Sequence, residues 1–101
     1  MPATLGVLAR KGSKFEIGSV FVTPKASRAL AEAGQSADEF LERHQAGDWG
    51  EVGSADWKEN ELAYCKGYRI YSIYKLSSGD EIWIITQADR SATTVLLPEE
   101  Y

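Results

Sequence analysis

The spacing of apolar residues changes along the chain, from helical periodicity in the middle to strand-like runs near the end. A first helix is predicted over about 24–33, between the capping pair Thr23-Pro24 and the stop residue Gly34. A Thr side chain can accept from an orphan N–H at a helix start, and Pro loses nothing in the first turn. The apolar positions between these signals recur at helical spacing.

Two further helices follow, and each ends at a glycine. The second is predicted over about 37–46, where Ser36 and Glu39 have the spacing of a capping box. The third is predicted over about 55–66, with Ser54 as its cap. The intervening segment is rich in glycine and polar residues, which is typical of turns.

The last third of the chain is rich in β-branched and aromatic residues and is broken by turn signals. It predicts three strands, over about 69–76, 82–86 and 93–97, the last of which is stopped by Pro98. Because residues 82–85 are continuously apolar, we expect the middle strand to be central and buried on both faces. Two earlier apolar runs, 5–9 and 18–22, predict an N-terminal strand or hairpin.

These elements predict an α+β fold. It begins with an N-terminal strand or hairpin, continues with two to three short helices, and ends with a three-stranded antiparallel meander. No repeat or linker divides the chain, so residues 1–101 are interpreted as a single domain. We expect a mostly antiparallel sheet with the helices packed on one of its faces.

Charge and composition narrow the function classes. The chain carries a net charge of −4, with a pI near 4.9, and nucleic-acid binding by phosphate contacts usually needs a basic surface. No apolar run is long enough for a membrane span and no signal peptide is recognised, so we expect a cytoplasmic protein without a membrane partner. One cysteine and one histidine do not make a metal-ligand pattern, and no cofactor motif is present.

Two strings of uncommon residues carry a family resemblance. They are His44-Gln45-Ala46-Gly47-Asp48-Trp49-Gly50 and the tail that runs from Ile82-Trp83-Ile84-Ile85-Thr86 through Asp89-Arg90-Ser91 to Leu96-Leu97-Pro98-Glu99-Glu100-Tyr101. Over residues 20–101 the chain resembles a family of small accessory proteins from plasmids, prophages and integrative elements. The resemblance implies a bacterial mobile-element setting and implies little chemistry.

The order of helices and strands also resembles the fold of barnase-, EndoU- and colicin-type ribonucleases, which cleave RNA without a metal. That resemblance implies a candidate catalytic set of His44, Arg69, Tyr71 and Thr93, with further candidates in Arg90, Tyr74 and Thr94. In this hypothesis His44 is the general base, an arginine holds the phosphate and a hydroxyl assists. The alternative is that His44 interacts with a helix C-terminus and that the others are ordinary strand and turn residues.

An aromatic and acidic cluster surrounds the glycine-rich loop. Its candidate partner-binding residues are Asp48, Trp49, Glu51, Asp56 and Trp57. Tryptophan is enriched at interfaces, and the carboxylates would suit a basic partner. The alternative is that Trp49 packs onto the core and holds the loop in place.

The leading hypothesis is a non-enzymatic accessory protein of a mobile element that binds and modulates a host or defence-system protein. Its acidity, its aromatic content and the lack of a complete catalytic set favour a protein partner of bacterial or mobile-element origin. The alternative hypothesis is a metal-independent ribonuclease toxin or an inactive relative of one.

Overall fold

The computed structural model describes residues 13–101 of the chain. These residues form four strands, three α-helices and one short 3₁₀ helix. In chain order they are β1 (Ser19–Val22), α1 (Pro24–Ala33), α2 (Ala37–Gln45), α3 (Ser54–Lys66), β2 (Ile70–Lys75), β3 (Glu81–Thr86), β4 (Ala92–Leu96) and the 3₁₀ helix (Pro98–Glu100). The predicted α+β class and order of elements are confirmed, whereas the apolar run at 5–9, and with it the predicted hairpin, lies outside the described residues.

The four strands form one mixed sheet in the order β1-β4-β3-β2. Strands β2, β3 and β4 make the predicted antiparallel meander, in which Ser72 pairs with Ile84 and Ile84 pairs with Val95. Strand β1 instead runs parallel to β4, with Val20 opposite Thr93. Parallel neighbours need a long crossover connection, and here the helices and the other two strands provide it.

Local capping explains the first helix. The Thr23 side chain accepts from the N–H of Ala26 at 3.1 Å, Pro24 begins α1, and Gly34 closes it in the left-handed conformation at φ 70°. The predicted capping box of the second helix is wrong, because the Ser36 side chain makes no capping hydrogen bond. At α3, Ser54 is the first helical residue rather than the cap, which is Gly53.

The core lies between one face of the sheet and helices α1 and α2. Leu30 and Phe40 are buried there against inward-facing strand residues, and the Phe40 ring lies 5.3 Å from the ring of Tyr74. Ile84 of the central strand β3 is completely buried. Helix α3 lies beside the outer edge of β2, where Asn60 bonds to the strand backbone, and it contributes Ala63 to the core.

Side chains alternate between the two faces of the sheet. On the face covered by α1 and α2, three polar residues are fully buried: Ser72 of β2, Thr86 of β3 and Thr93 of β4. Their neighbours along the strands point to the opposite face, which we call the open face. It carries Tyr71, Ile73, Trp83, Ile85, Thr94, Leu96 and Phe21, as the strand register requires.

Candidate functional site

His44 lies inside the molecule and has no exposed surface. Helix α2 points its imidazole at the sheet, where Nδ1 is 2.6 Å from Ser72 Oγ and Nε2 is 2.9 Å from Thr86 Oγ1. The rings of Phe15 and Trp49 pack edge-on against it, at centroid distances of 5.2 Å and 5.8 Å. The histidine therefore joins α2 to β2 and β3 in a closed aromatic compartment.

The hydrogen bonds around His44 have one possible direction. Thr93 Oγ1 donates to the carbonyl oxygen of Ile17 at 2.8 Å, and a carbonyl can only accept. Thr86 must therefore donate to Thr93 across their 2.7 Å contact, and Thr86 accepts in turn from His44 Nε2–H. Ser72 donates to the remaining nitrogen, Nδ1. Each hydroxyl proton is used once, and the imidazole is neutral with its proton on Nε2.

This setting makes His44 unsuitable as a general base. Burial, reinforced by the positive charge of Arg90, lowers the pKa of His44 from its ordinary value of 6.5 to about 3. Both ring nitrogens are already hydrogen-bonded, and no substrate can reach either of them. The alternative interpretation, a cation at a helix end, also does not describe the residue, because a neutral buried imidazole carries no such charge.

Arg90 is engaged by backbone carbonyl groups. Its Nη1 donates to the carbonyl oxygens of Tyr68, Gln87 and Ala88 at 2.8–3.2 Å, and Nη2 donates to that of Ala63 at 3.0 Å. The guanidinium thereby ties the C-terminal end of α3 to the turn between β3 and β4. An arginine used in this way has few donors left for a phosphate.

The remaining ribonuclease candidates are divided between the two faces of the sheet. Arg69 and Tyr71 lie on the open face, where partial burial and the nearby Asp56 raise the pKa of Tyr71 to about 12. Thr94 shares that face, whereas Thr93 lies inside with His44. Tyr74 is buried in the core and donates to the carbonyl oxygen of Asp48 at 2.6 Å. The structure divides the predicted catalytic set between the two faces of the sheet and forms no cleft that contains it.

Trp49 is fully buried, although it was a candidate partner-binding residue. Its ring stacks near Phe15 at 6.0 Å, and its Nε1–H donates to Glu61 at 2.8 Å. The neighbouring Gly50 is needed for close approach, since a Cβ there would lie 2.0 Å from the carbonyl oxygen of Ile73. Gly50 thus lets the loop pack against β2, and the burial of Trp49 agrees with the alternative interpretation, in which this residue packs onto the core.

The other members of the acidic and aromatic cluster differ in availability. Asp48 forms an ion pair with Arg43 at 2.7 Å, which holds the pKa of the Asp48 carboxyl below its usual range. Asp56 and Trp57 are half-buried, and Trp57 packs against the core. Only Glu51 is fully exposed. Most side chains of this cluster therefore make contacts within the protein, and a partner-binding role for the cluster stays a prediction.

The outer edge of β2 is sealed. The Trp49–Glu51 segment runs beside it, with Glu51 N–H donating to Ile73 O at 2.6 Å and Ile73 N–H donating to Trp49 O at 3.2 Å. The amide of Asn60 serves the next position, accepting from Tyr71 N–H at 3.3 Å and donating to Tyr71 O at 2.6 Å. Two backbone positions that would attract another strand are thus already paired.

The outer edge of β1 differs. Within residues 13–101, β4 is the only strand that pairs with β1. The N–H groups of Ser19 and Thr23 donate toward β4, so by alternation the backbone groups of Val20 and Val22 point outward. The side chains of Val20, Phe21 and Val22 are 40%, 56% and 36% exposed. The sequence predicted that these residues belong to a strand but did not predict that their side chains are exposed. The one signal for it was the unbroken run of three apolar residues, which a strand cannot turn to a single face.

Comparisons with protein-family models, with curated proteins and with solved structures found no match to this chain. The described part of the chain has no helix with both the length and the apolar character that crossing a membrane requires. Among the same residues no group of three or more His, Cys, Asp or Glu side chains is placed to hold a metal ion. The functional argument therefore depends on the surfaces described above.

Proposed function

We propose that this protein is a non-enzymatic accessory protein that binds a partner protein along the outer edge of β1. One observation carries the proposal: three consecutive apolar residues, Val20 to Val22, are exposed on an edge strand whose outward backbone groups are unpaired within residues 13–101. Exposed edges attract other strands, and natural proteins usually blunt them with charge, proline or a covering element. The opposite edge of the same sheet has such a cover.

The chemistry of this edge specifies an extended polypeptide as the occupant. Outward N–H and C=O groups at Val20 and Val22 match the hydrogen-bonding pattern of another strand, and side-chain pockets on alternate sides then supply specificity. Phe21 lies on the open face, and the two valines lie on the opposite side. With a net charge of −4, a segment with apolar alternate residues and basic flanks is favoured over an acidic one.

The wider setting in this proposal is that of a mobile-element protein that modulates a host or defence-system protein. Its support is the family resemblance of the His44–Gly50 string and the tail. The ribonuclease alternative has no comparable support, because Arg69 and His44 lie on opposite faces of the sheet. An acidic chain would also repel the RNA backbone.

Amide hydrogen exchange on the full-length chain tests the state of the edge. We expect the N–H groups of Val20 and Val22 to exchange rapidly, whereas that of Phe21, on the β4 side, should be protected. Protection of both valine amides in the isolated protein would show that the edge is already occupied, by another part of the chain or by a second copy. That result would overturn the proposal.

Affinity capture from a bacterial host, read by mass spectrometry, tests the partner. The proposal predicts that the wild-type protein captures a partner protein, and that the Val20→Pro and Phe21→Lys variants both fail to capture it. Glu51→Lys is the matched control, since Glu51 is the exposed member of the acidic cluster. If the Glu51→Lys variant fails to capture the partner while both β1 variants still capture it, the binding site lies in the acidic cluster. That result would contradict the proposal.

A further inference from the structure

The C-terminal turn lies against the open face of the sheet. The ring of Tyr101 packs 5.2 Å from the ring of Trp83, and the guanidinium carbon of Arg69 stands 5.6 Å from the centre of the same tyrosine ring. Tyr101 therefore contacts both an indole and a cation, a combination that favours an aromatic ring. These contacts are distinct from the β1 edge, which lies two strands away from β3.

A small cavity adjoins this tyrosine. It has a volume of about 80 Å³ and is lined by Arg69, Tyr71, Trp83, Ile85 and Tyr101. The lining combines aromatic and aliphatic walls with one cationic donor, which is the composition of a side-chain binding pocket. Tyr101 forms one wall of the cavity and is 62% exposed, so displacing its ring would join the space that the ring fills to the cavity.

One polar group of a residue that lines the cavity lacks a partner. The Nε1–H of Trp83 is buried and finds no acceptor among the described residues. An indole N–H that is enclosed in a protein is normally hydrogen-bonded, because leaving it unpaired costs free energy. The tail conformation therefore provides the ring for this pocket but not the acceptor.

The attachment of the tail is slight. A side-chain oxygen of Glu100 accepts from Thr23 Oγ1 and from the N–H of Leu97, both at 2.8 Å, and Tyr101 N–H donates to the Pro98 carbonyl oxygen at 3.1 Å. The two side chains that make these contacts belong to residues at the surface or only half-buried. Exposed hydrogen bonds of this kind are readily exchanged for water.

We infer that the open face holds a binding site for an aromatic side chain of a partner protein, and that Tyr101 occupies it as a stand-in. The incoming ring would take the place of Tyr101 against Trp83 and Arg69, and a carbonyl oxygen beside that ring would accept from Trp83 Nε1–H. The ligand class is a tyrosine- or phenylalanine-bearing peptide segment. This site does not depend on docking at β1, because different strands form it.

Removing the stand-in tests the inference. In full-length Tyr101→Ala, N-acetyl-tyrosinamide should shift the indole N–H resonance of Trp83 saturably, whereas N-acetyl-alaninamide should not. Trp83→Phe assigns the resonance. Wild type and Tyr101→Phe should bind the same probe about tenfold more weakly, because a tethered ring competes at a high effective concentration.

Two controls keep the result interpretable. An unchanged indole resonance of buried Trp49 shows that Tyr101→Ala remains folded, and adding Arg69→Ala to that variant should weaken probe binding. A folded Tyr101→Ala protein with an unmoved Trp83 resonance would overturn the inference, as would equal binding by wild type. A shift of similar size with oligouridylate would also overturn it, because the site would then accept bases rather than peptide side chains.

Discussion

The two outer edges of the sheet, at β2 and at β1, differ in whether other described residues cover them. Beside β2, the Asn60 amide acts as a substitute peptide group and the Trp49–Glu51 segment adds a short parallel pairing. Beside β1, no described residue plays either part, and Phe21 is 56% exposed. Within residues 13–101, the sheet thus has one outer edge that is covered and one that is not.

Similar residue types serve a structural role at the β2 edge and, in the proposal, a binding role at the β1 edge. Trp49 and its glycines belong to the seal, where their burial and close packing leave little for a partner. Val20 to Val22 look ordinary in sequence but expose both apolar side chains and strand backbone. In this molecule, exposure at a strand edge is therefore more informative about binding than the presence of tryptophan. Four experiments test the difference between the two edges.

The largest effect on stability is expected from replacing Trp49, which begins the segment that covers the outer edge of β2. Trp49→Ala should lower the free energy of unfolding by about 3–5 kcal/mol, because it leaves a cavity beside Phe15 and His44 and orphans the Glu61 contact. Chemical denaturation of variant and wild type measures it. Trp57→Ala, at a half-buried position, is the control and should cost less. A near-zero change for Trp49→Ala would contradict the structural assignment.

His44 should make stability pH-dependent. Its pKa is about 3 in the folded state and 6.5 ordinarily, so between these values the unfolded chain binds more protons. The free energy of unfolding should therefore fall as pH decreases below 6.5, by up to about 1.4 kcal/mol per pH unit from this residue. Denaturation at pH 5–7 should show this slope, and the His44→Gln variant should lack it. Parallel curves for the two proteins would refute a buried neutral histidine.

A smaller effect is expected from opening the β2 edge. Asn60→Ala removes both partners of the Tyr71 backbone and should destabilise the protein by about 1–3 kcal/mol. It should also promote concentration-dependent self-association, which sedimentation can detect. Asn60→Asp keeps an acceptor for Tyr71 N–H but sets a carboxylate oxygen against the Tyr71 carbonyl oxygen at a buried position, so it should cost at least as much as Asn60→Ala. Equal stability of all three proteins would show that the side chain does not seal the edge.

The smallest effect is expected at the available edge. Val20→Pro should change the free energy of unfolding by less than about 0.5 kcal/mol, because the lost N–H points away from the sheet. Phe21→Pro is the matched control and should cost at least about 1 kcal/mol, since it removes a donor on the β4 side. Similar losses for both variants would mean that the outward edge is paired in the isolated chain.

Local signals account for what the sequence predicted well. Helix α1 matches its predicted bounds because Thr23, Pro24 and Gly34 act on adjacent backbone groups. The meander was also predictable, since its strands are neighbours in the chain and short turns favour antiparallel pairing. The parallel pairing of β1 with β4 was not, because it joins residues more than 70 positions apart and no local spacing encodes it.

The candidate site shows the same division. A position in the last helical turn does not reveal whether a histidine is buried, because its partners Ser72 and Thr86 are 28 and 42 residues away. The usable signal was its spacing of four from Phe40, which places both on one helix face. Beside Trp49, the lack of a Cβ at Gly50 is required by the close approach of the β2 backbone at Ile73, a contact that the local sequence does not reveal.

The one-way hydrogen-bond chain through His44 has a consequence for strand register. If β3 slipped by one residue, its faces would be exchanged, and the hydrophobic pattern alone forbids that error. A slip of two residues would keep Ile82 and Ile84 on the inner face and would pass that test. It would, however, set Ile84 against the imidazole in place of Thr86, leaving His44 Nε2–H without an acceptor and Thr93 Oγ1 without the hydrogen bond that it accepts from Thr86. The buried polar residues thus disfavour strand registers that the hydrophobic pattern alone does not distinguish.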